Sequence, residues 1–196
     1  MDFSDLTPEL GSLMLRYSRR VLEVRLHQGE TLPALQEPHI LQEKAGLFCT
    51  LKNRRGGLRG CIGLPYPTHR LGEALVNATI GAALEDPRFP PVTKEELPHL
   101  TIDLTVLTPP EKLVVSSPDE YLGKIKVGRD GLIVGTGAYS RGLLLPQVPV
   151  EQGWDTQEFL EGTCRKAMLP KDAWRDLKRV MVYRFQGQIF EEEKKK

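Results

Sequence analysis

Cysteine is scarce in this chain: Cys49, Cys61 and Cys164 are the only three in 196 residues. They form no Cys-x-x-Cys pair, and no His-Glu-x-x-His occurs, so the common zinc signatures are absent and no metal site is expected. An odd, unclustered set is no disulfide framework either; it points to free thiols in a reducing compartment, the cytoplasm. Charge of one sign is also missing, because 27 Lys and Arg face 26 Asp and Glu. A dedicated duplex-DNA binder needs a marked basic excess, and the balance argues against that class. No apolar run approaches the ~20 residues of a membrane helix, and Met1-Asp2-Phe3-Ser4-Asp5 opens no apolar signal segment. No membrane association and no secretory signal are expected.

What is present is ordinary globular material, 40% hydrophobic and 27% charged, enough to bury a sizeable core. Thr7-Pro8-Glu9 is a helix start, with threonine at the N-cap and proline in the first turn. Leu10, Leu13, Met14, Tyr17, Val21 and Val24 then repeat at helical spacing towards Gly29. Gly46 to Lys52 has strand character, and Asn53-Arg54-Arg55-Gly56-Gly57 is a basic, glycine-rich turn. Thr68 is placed to cap a second helix, with Leu71, Leu75, Ala78 and Ala82 on one face, which Asp86-Pro87-Arg88-Phe89-Pro90-Pro91 stops. From Thr101 to Leu107, Ile102, Leu104 and Val106 alternate with Thr101, Asp103 and Thr105, the pattern of a half-buried strand. Asp130-Gly131, between Lys124–Val127 and Leu132–Val134, is a hairpin signal. Asp155 to Glu158 is an aspartate capping box opening a helix with Leu160, Cys164 and Ala167 on one face. Pro170 to Leu177 forms a further short helix, and Val180 to Phe190 a last strand bent at Gly187. Hairpin signals without βαβ alternation predict an α+β fold with a largely antiparallel sheet flanked by helices. The expectation is one domain over 1–196, with a smaller subdomain drawn from about 107–150.

The segment that invites chemistry runs from Gly56 to Gly63, with four glycines in eight residues. Read as a turn, Leu58-Arg59-Gly60-Cys61-Ile62-Gly63 can point several amides at one spot and form an anion nest. Arg59 and Arg55, with Arg54, add guanidinium donors for a carboxylate or phosphate. The expected ligand-binding set is Arg59, Gly60, Ile62, Gly63 and Arg55. Cys61 lies among them, where nearby cations and amides favour a thiolate, so it is the candidate nucleophile or thiol carrier. The plainer alternative is a tight turn in which Cys61 fills a small hole. A base is needed, and His69 is the nearest histidine in sequence. Glu151, after the apolar run Leu143–Leu145 and before Trp154, is a second candidate for proton transfer. Cys49, in an apolar strand, and Cys164, on an apolar helix face, belong to the core. Asp86 reads as a structural stop that caps the backbone or pairs with Arg88.

Several motifs in order resemble one family. Gly57-Leu58-Arg59-Gly60-Cys61-Ile62-Gly63 is followed by Asp86-Pro87-Arg88-Phe89, then Pro91-Val92 and Gly128-Arg129-Asp130-Gly131-Leu132. Gly142-Leu143-Leu144-Leu145-Pro146-Gln147-Val148, Trp154-Asp155 through Phe159-Leu160, Cys164-x-Lys166-Ala167 and Leu169-Pro170 complete the set. Together, over about residues 10–190, they resemble the AMME chromosomal-region candidate protein family, the AMMECR domain, in its archaeal or bacterial stand-alone form. Met168 departs from the Ala or Gly usual after Ala167. The resemblance implies an α+β fold with a larger and a smaller subdomain and a cleft near the cysteine motif. It implies no reaction and no cofactor. Relatives occur fused to or encoded beside Memo-type and radical-SAM proteins, which implies a link to a modification pathway.

Three readings follow. In the first the protein is an enzyme acting through Cys61, with an unknown small molecule or protein as substrate. In the second the same segment is a ligand-binding or adaptor module without chemistry. The third, RNA binding, rests on Arg54, Arg55 and Arg59 alone, without the stacking aromatics of the common RNA-binding modules.

Overall fold

The computed structural model describes residues 5–137 and 141–193. In chain order the elements are α1 (Pro8–Gln28), β1 (Gly46–Lys52), β2 (Leu58–Leu64), α2 (Leu71–Leu84), β3 (Thr101–Leu107), β4 (Glu111–Lys112), α3 (Glu120–Lys124), β5 (Gly131–Gly135), β6 (Arg141–Leu144), α4 (Gln147–Gln152), α5 (Thr156–Lys166), β7 (Met181–Phe185) and β8 (Gly187–Glu191). The fold is α+β, with two four-stranded sheets in the orders β2-β1-β3-β8 and β4-β7-β5-β6. Among the described residues no helix is long and apolar enough to cross a membrane.

The chain divides into two compact units. The first takes residues up to Pro109 and returns from Gln188 onward; the second is Pro110–Gly187. In the first unit α1 begins where the sequence predicts. Thr7 Oγ1 accepts the Leu10 amide at 3.3 Å, and Gly29 ends the helix in the left-handed region at φ 75°. Leu47, Cys49 and Leu51 of β1, with Ile102, Leu104 and Val106 of β3, are fully buried with Met14, Leu22, Leu71, Leu75 and Ala78 of the helices. The alternate strand residues, Phe48, Thr50 and Lys52, are only half-buried. One face of the first sheet therefore packs on α1 and α2, and its opposite face is polar.

In the second unit Leu132 and Val134 of β5, Val182 of β7 and Phe159 and Leu160 of α5 gather round Trp174. The aspartate capping box opens α5: Asp155 Oδ1 accepts the Glu158 amide at 2.8 Å, and Glu158 accepts the Asp155 amide at 2.9 Å.

Four local expectations are corrected. Leu58–Leu64 is a strand paired with β1 rather than a turn. Its glycines avoid collisions: a Cβ on Gly60 would strike the Ala82 carbonyl of α2, and one on Gly63 the Phe48 ring. Thr68 does not cap α2; it bonds Tyr66 and His69, and the helix starts where Glu73 accepts the Arg70 amide at 3.1 Å. Asp130-Gly131 makes no hairpin, because β5 pairs with β6 and β7. The buried Asp130 carboxylate instead accepts the Lys126 amide at 2.9 Å and closes the turn between α3 and β5. The last strand is two strands, β7 in the second sheet and β8 in the first.

Candidate functional site

Cys61 stands mid-way along β2, an edge strand of the first sheet. Thr50 is its partner on β1. The Cys61 amide and carbonyl point away from β1, to partners outside the sheet, so the Thr50–Cys61 pair exchanges no ladder bonds and its side chains stand close. Thr50 Oγ1 donates to Cys61 Sγ at 3.3 Å. Among the described residues it is the sulfur's hydrogen-bond partner.

The outward groups would be an open sheet edge, and Asp86 and Arg88 cover them. The Cys61 amide donates to Asp86 Oδ2 at 2.8 Å, and Arg88 donates to the Cys61 carbonyl at 3.3 Å. Arg88 also grips Asp86 with two bonds of 2.9 and 2.7 Å. This guanidinium, with the Cys61 and Arg88 amides, outweighs the burial of Asp86 and holds its carboxyl well below the usual carboxylate range. Phe89 lies beneath both Arg59 and Arg88, with guanidinium carbons 5.9 and 5.6 Å from its ring centre.

Arg59 reinforces the same edge. The β1–β2 register shifts between Leu51 and Lys52, which pair with Gly60 and Leu58 and leave Arg59 as the extra, bulged residue. Its side chain reaches Glu96 with bonds of 2.9 and 3.1 Å and the Pro90 carbonyl at 2.9 Å. Arg59, with the Thr93 amide, holds the Glu96 carboxyl below its usual range. The strap from Asp86 to Glu96 is thereby fastened along β2 at both Cys61 and Arg59.

The other predicted residues are dispersed. Gly60 and Ile62 face α2, where Ile62 packs against Gly81, and Gly63 faces Phe48. His69 follows β2 on the approach to α2, and its Nδ1 meets Thr68 Oγ1 at 2.9 Å. Glu151 is exposed on α4 in the second unit. The Arg55 amide bonds Asn53 Oδ1 at 3.0 Å, and its side chain is exposed. Cys49 and Cys164 are buried, and burial pushes their thiols up to about 12 and about 11. Cys61 alone of the three is half-buried. Thr50 and Glu96 are contributors that sequence reasoning passed over. Thr50 was within reach of the strand alternation, which sets it opposite Cys49, whereas Glu96 carries no local signal. Near Thr50, Lys52 is paired with Asp103, and that contact raises the lysine pKa. Among the described residues no three His, Cys, Asp or Glu side chains are grouped to hold a metal ion.

The cysteine strand and the aspartate-arginine strap thus form one construction, and both lie within residues 15–190, the stretch that matches the AMMECR1 family. The chain belongs to the AMMECR1 family. Among its AMMECR1 relatives, Protein MJ0810 of Methanocaldococcus jannaschii is 52% identical over 188 residues, 95% of this chain and 92% of that protein. A Thermococcus gammatolerans protein is 53% identical, over 94% of this chain and 91% of its own. The crystal structure of PH0010 from Pyrococcus horikoshii, described as an uncharacterized protein, shares the AMMECR1 fold. It superposes with a TM-score of 0.80 at 49% identity, covering 94% of this chain and 92% of that one. AMMECR1 membership establishes family and fold; it carries no specific reaction.

Proposed function

We propose that this protein is an enzyme or thiol carrier acting through Cys61. The observation that carries the reading is a half-buried thiol on a fixed strand: Thr50 holds its sulfur, while Asp86 and Arg88 hold the amide and carbonyl of the backbone that presents it. A cysteine that merely fills space needs no hydroxyl on its sulfur. Fixed placement of a reacting atom is what positioning contributes to catalysis. In this reading Asp86 and Arg88 are positioning residues. The ligand lies along the Cys61 face of β2 and is gripped at the Arg55 and Arg59 end, while Gly60 and Ile62, turned towards α2, seat the strand on that helix. His69, in the same unit as Cys61, is the candidate for moving the proton. The cytoplasm is the assigned compartment, since free thiols persist under reducing conditions. The functional link to Memo-type and radical-SAM proteins belongs to the same proposal.

The test pairs chemistry with function. Iodoacetamide should label Cys61 in the folded protein, and Cys61→Ser should abolish the in vivo function while leaving circular dichroism unchanged. A fully functional Cys61→Ser strain would sink the enzyme reading. His69→Gln should lower that function tenfold or more, and an unaffected His69→Gln strain would remove it as the proton carrier.

A binding module without chemistry is favoured by one observation. The sulfur's partner is a hydroxyl, with no base bonded to it among the described residues. That reading expects Cys61→Ser to preserve function and Arg55→Ala to impair it.

A further inference from the structure

The turn between β1 and β2 is built to hold two arginines outward. Asn53 Oδ1 accepts the Arg55 and Gly57 amides, both at 3.0 Å. The Asn53 amide bonds the Gly57 carbonyl and the Gly56 amide the Asn53 carbonyl, both at 2.8 Å, with Gly56 at φ 81°. The turn is thus closed from within, and Arg54 and Arg55 are both exposed. They line a cleft of about 370 Å³ with Asn53, Arg59, Glu96, His99 and Leu100.

The charges in that cleft do not balance. Three guanidiniums, Arg54, Arg55 and Arg59, face the single carboxylate of Glu96, and Arg59 already holds that carboxylate with two bonds. Among the described residues neither Arg54 nor Arg55 meets a carboxylate. The cleft concentrates two unopposed positive charges on a chain whose formal net charge is +1. Arg54 lies 2.5 Å from His99 Nδ1. A guanidinium can only donate, so Nδ1 accepts and the ring proton sits on Nε2, a further donor on a residue lining the cleft.

We propose that this cleft binds the phosphate group of a small phosphate monoester. Such a group carries close to two negative charges at neutral pH, matching the two unopposed guanidiniums, whose planar forks suit its oxygens. A carboxylate would neutralise only one. An RNA strand fits less well, because no Phe, Tyr or Trp lines the cleft as a stacking platform. Arg59 is two residues from Cys61, about 7 Å along the strand, so a phosphate held here places the remainder of its molecule towards the thiol. That last step rests on the Cys61 reading; the cleft itself does not.

The full chain, isotope-labelled, is titrated with inorganic phosphate and with glycerol 3-phosphate at ionic strength held constant with sodium chloride, and followed by NMR. Saturable shifts centred on Asn53–Gly57 and His99 are expected from both. The Arg54→Ala/Arg55→Ala variant should bind at least tenfold more weakly, and Lys171→Ala, an exposed change in the second unit, should bind as the parent does. Shifts that never saturate, or equal affinity in the double variant, would overturn the proposal. So would tighter binding of a single-stranded RNA oligonucleotide with shifts spread beyond the cleft, which would assign the surface to nucleic acid. Normal phosphate binding in a protein whose Cys61 resists alkylation supports the cleft and removes only the thiol reading.

Discussion

At Cys61 the consequences of single atoms can be traced. Asp86 accepts from the Cys61 amide and from three Arg88 nitrogens, its amide and two of its guanidinium, so Asp86→Asn weakens all four contacts at once. Loss of such charge-assisted bonds should lower stability by about 1–3 kcal/mol, measured by urea unfolding at pH 7. The sign of the pH dependence follows from Arg88 depressing the carboxyl pKa in the folded state. The stabilisation is complete above the unfolded value of about 4 and is lost as pH falls through the lower folded value. The gap between parent and Asp86→Asn should therefore narrow once the pH falls well below 4. The thiols offer a second prediction. Burial pushes Cys49 to about 12 and Cys164 to about 11, so their reactive thiolates are scarce at pH 8. Peptide mapping after brief alkylation of the native protein should find the label on Cys61, with Cys49 and Cys164 modified only after unfolding.

At the scale of elements, β2 is a strand composed like a turn. Its packing against α2 leaves no room at Gly60 for a side chain, and Gly60→Ala should cost about 1–3 kcal/mol through overpacking, read as a lower melting temperature. The end of α5 is the reverse case. Met168 occupies the left-handed region at φ 61° with 91% of its surface exposed, where the Met168 and Leu169 amides bond back to Arg165 and Cys164. Glycine is the residue for that position, and Met168→Gly should stabilise by about 1 kcal/mol in thermal unfolding. These two sites show which features were legible in the sequence. The α1 cap, the β3 alternation and the α5 capping box are local signals, and each was read directly. The glycines of β2 answer to Ala82 and Phe48, distant in sequence, so a tertiary need was mistaken for a turn. Asp130 misled for a related reason, since its carboxylate imitates a backbone partner inside a turn of another kind. Cys61 stood out by composition, but its hold on Asp86 could not be distinguished from an ordinary helix stop until β2 was known to be an edge.

For the molecule as a whole, the decisive feature is that the first unit is discontinuous in sequence. Its sheet is completed by β8, and Glu192 ties that return to the body: it pairs with Arg19 and accepts the Ile102 amide at 2.9 Å. Arg19 also donates to the Leu97 and Leu100 carbonyls, both at 2.8 Å. Glu192→Ala should therefore loosen the first unit by about 1–3 kcal/mol, seen as faster hydrogen exchange at Ile102. Both tryptophans, Trp154 and Trp174, lie in the second unit, so their fluorescence reports on that unit's own transition.

The returning strand also sets an order of events during synthesis. While the ribosome makes Pro110–Gly187, at about 5–20 residues per second, β3 waits with one edge unpaired for several seconds. Slow translation through that stretch would prolong the wait, and holdase chaperones that shield bare strand edges would have their natural target in this nascent chain.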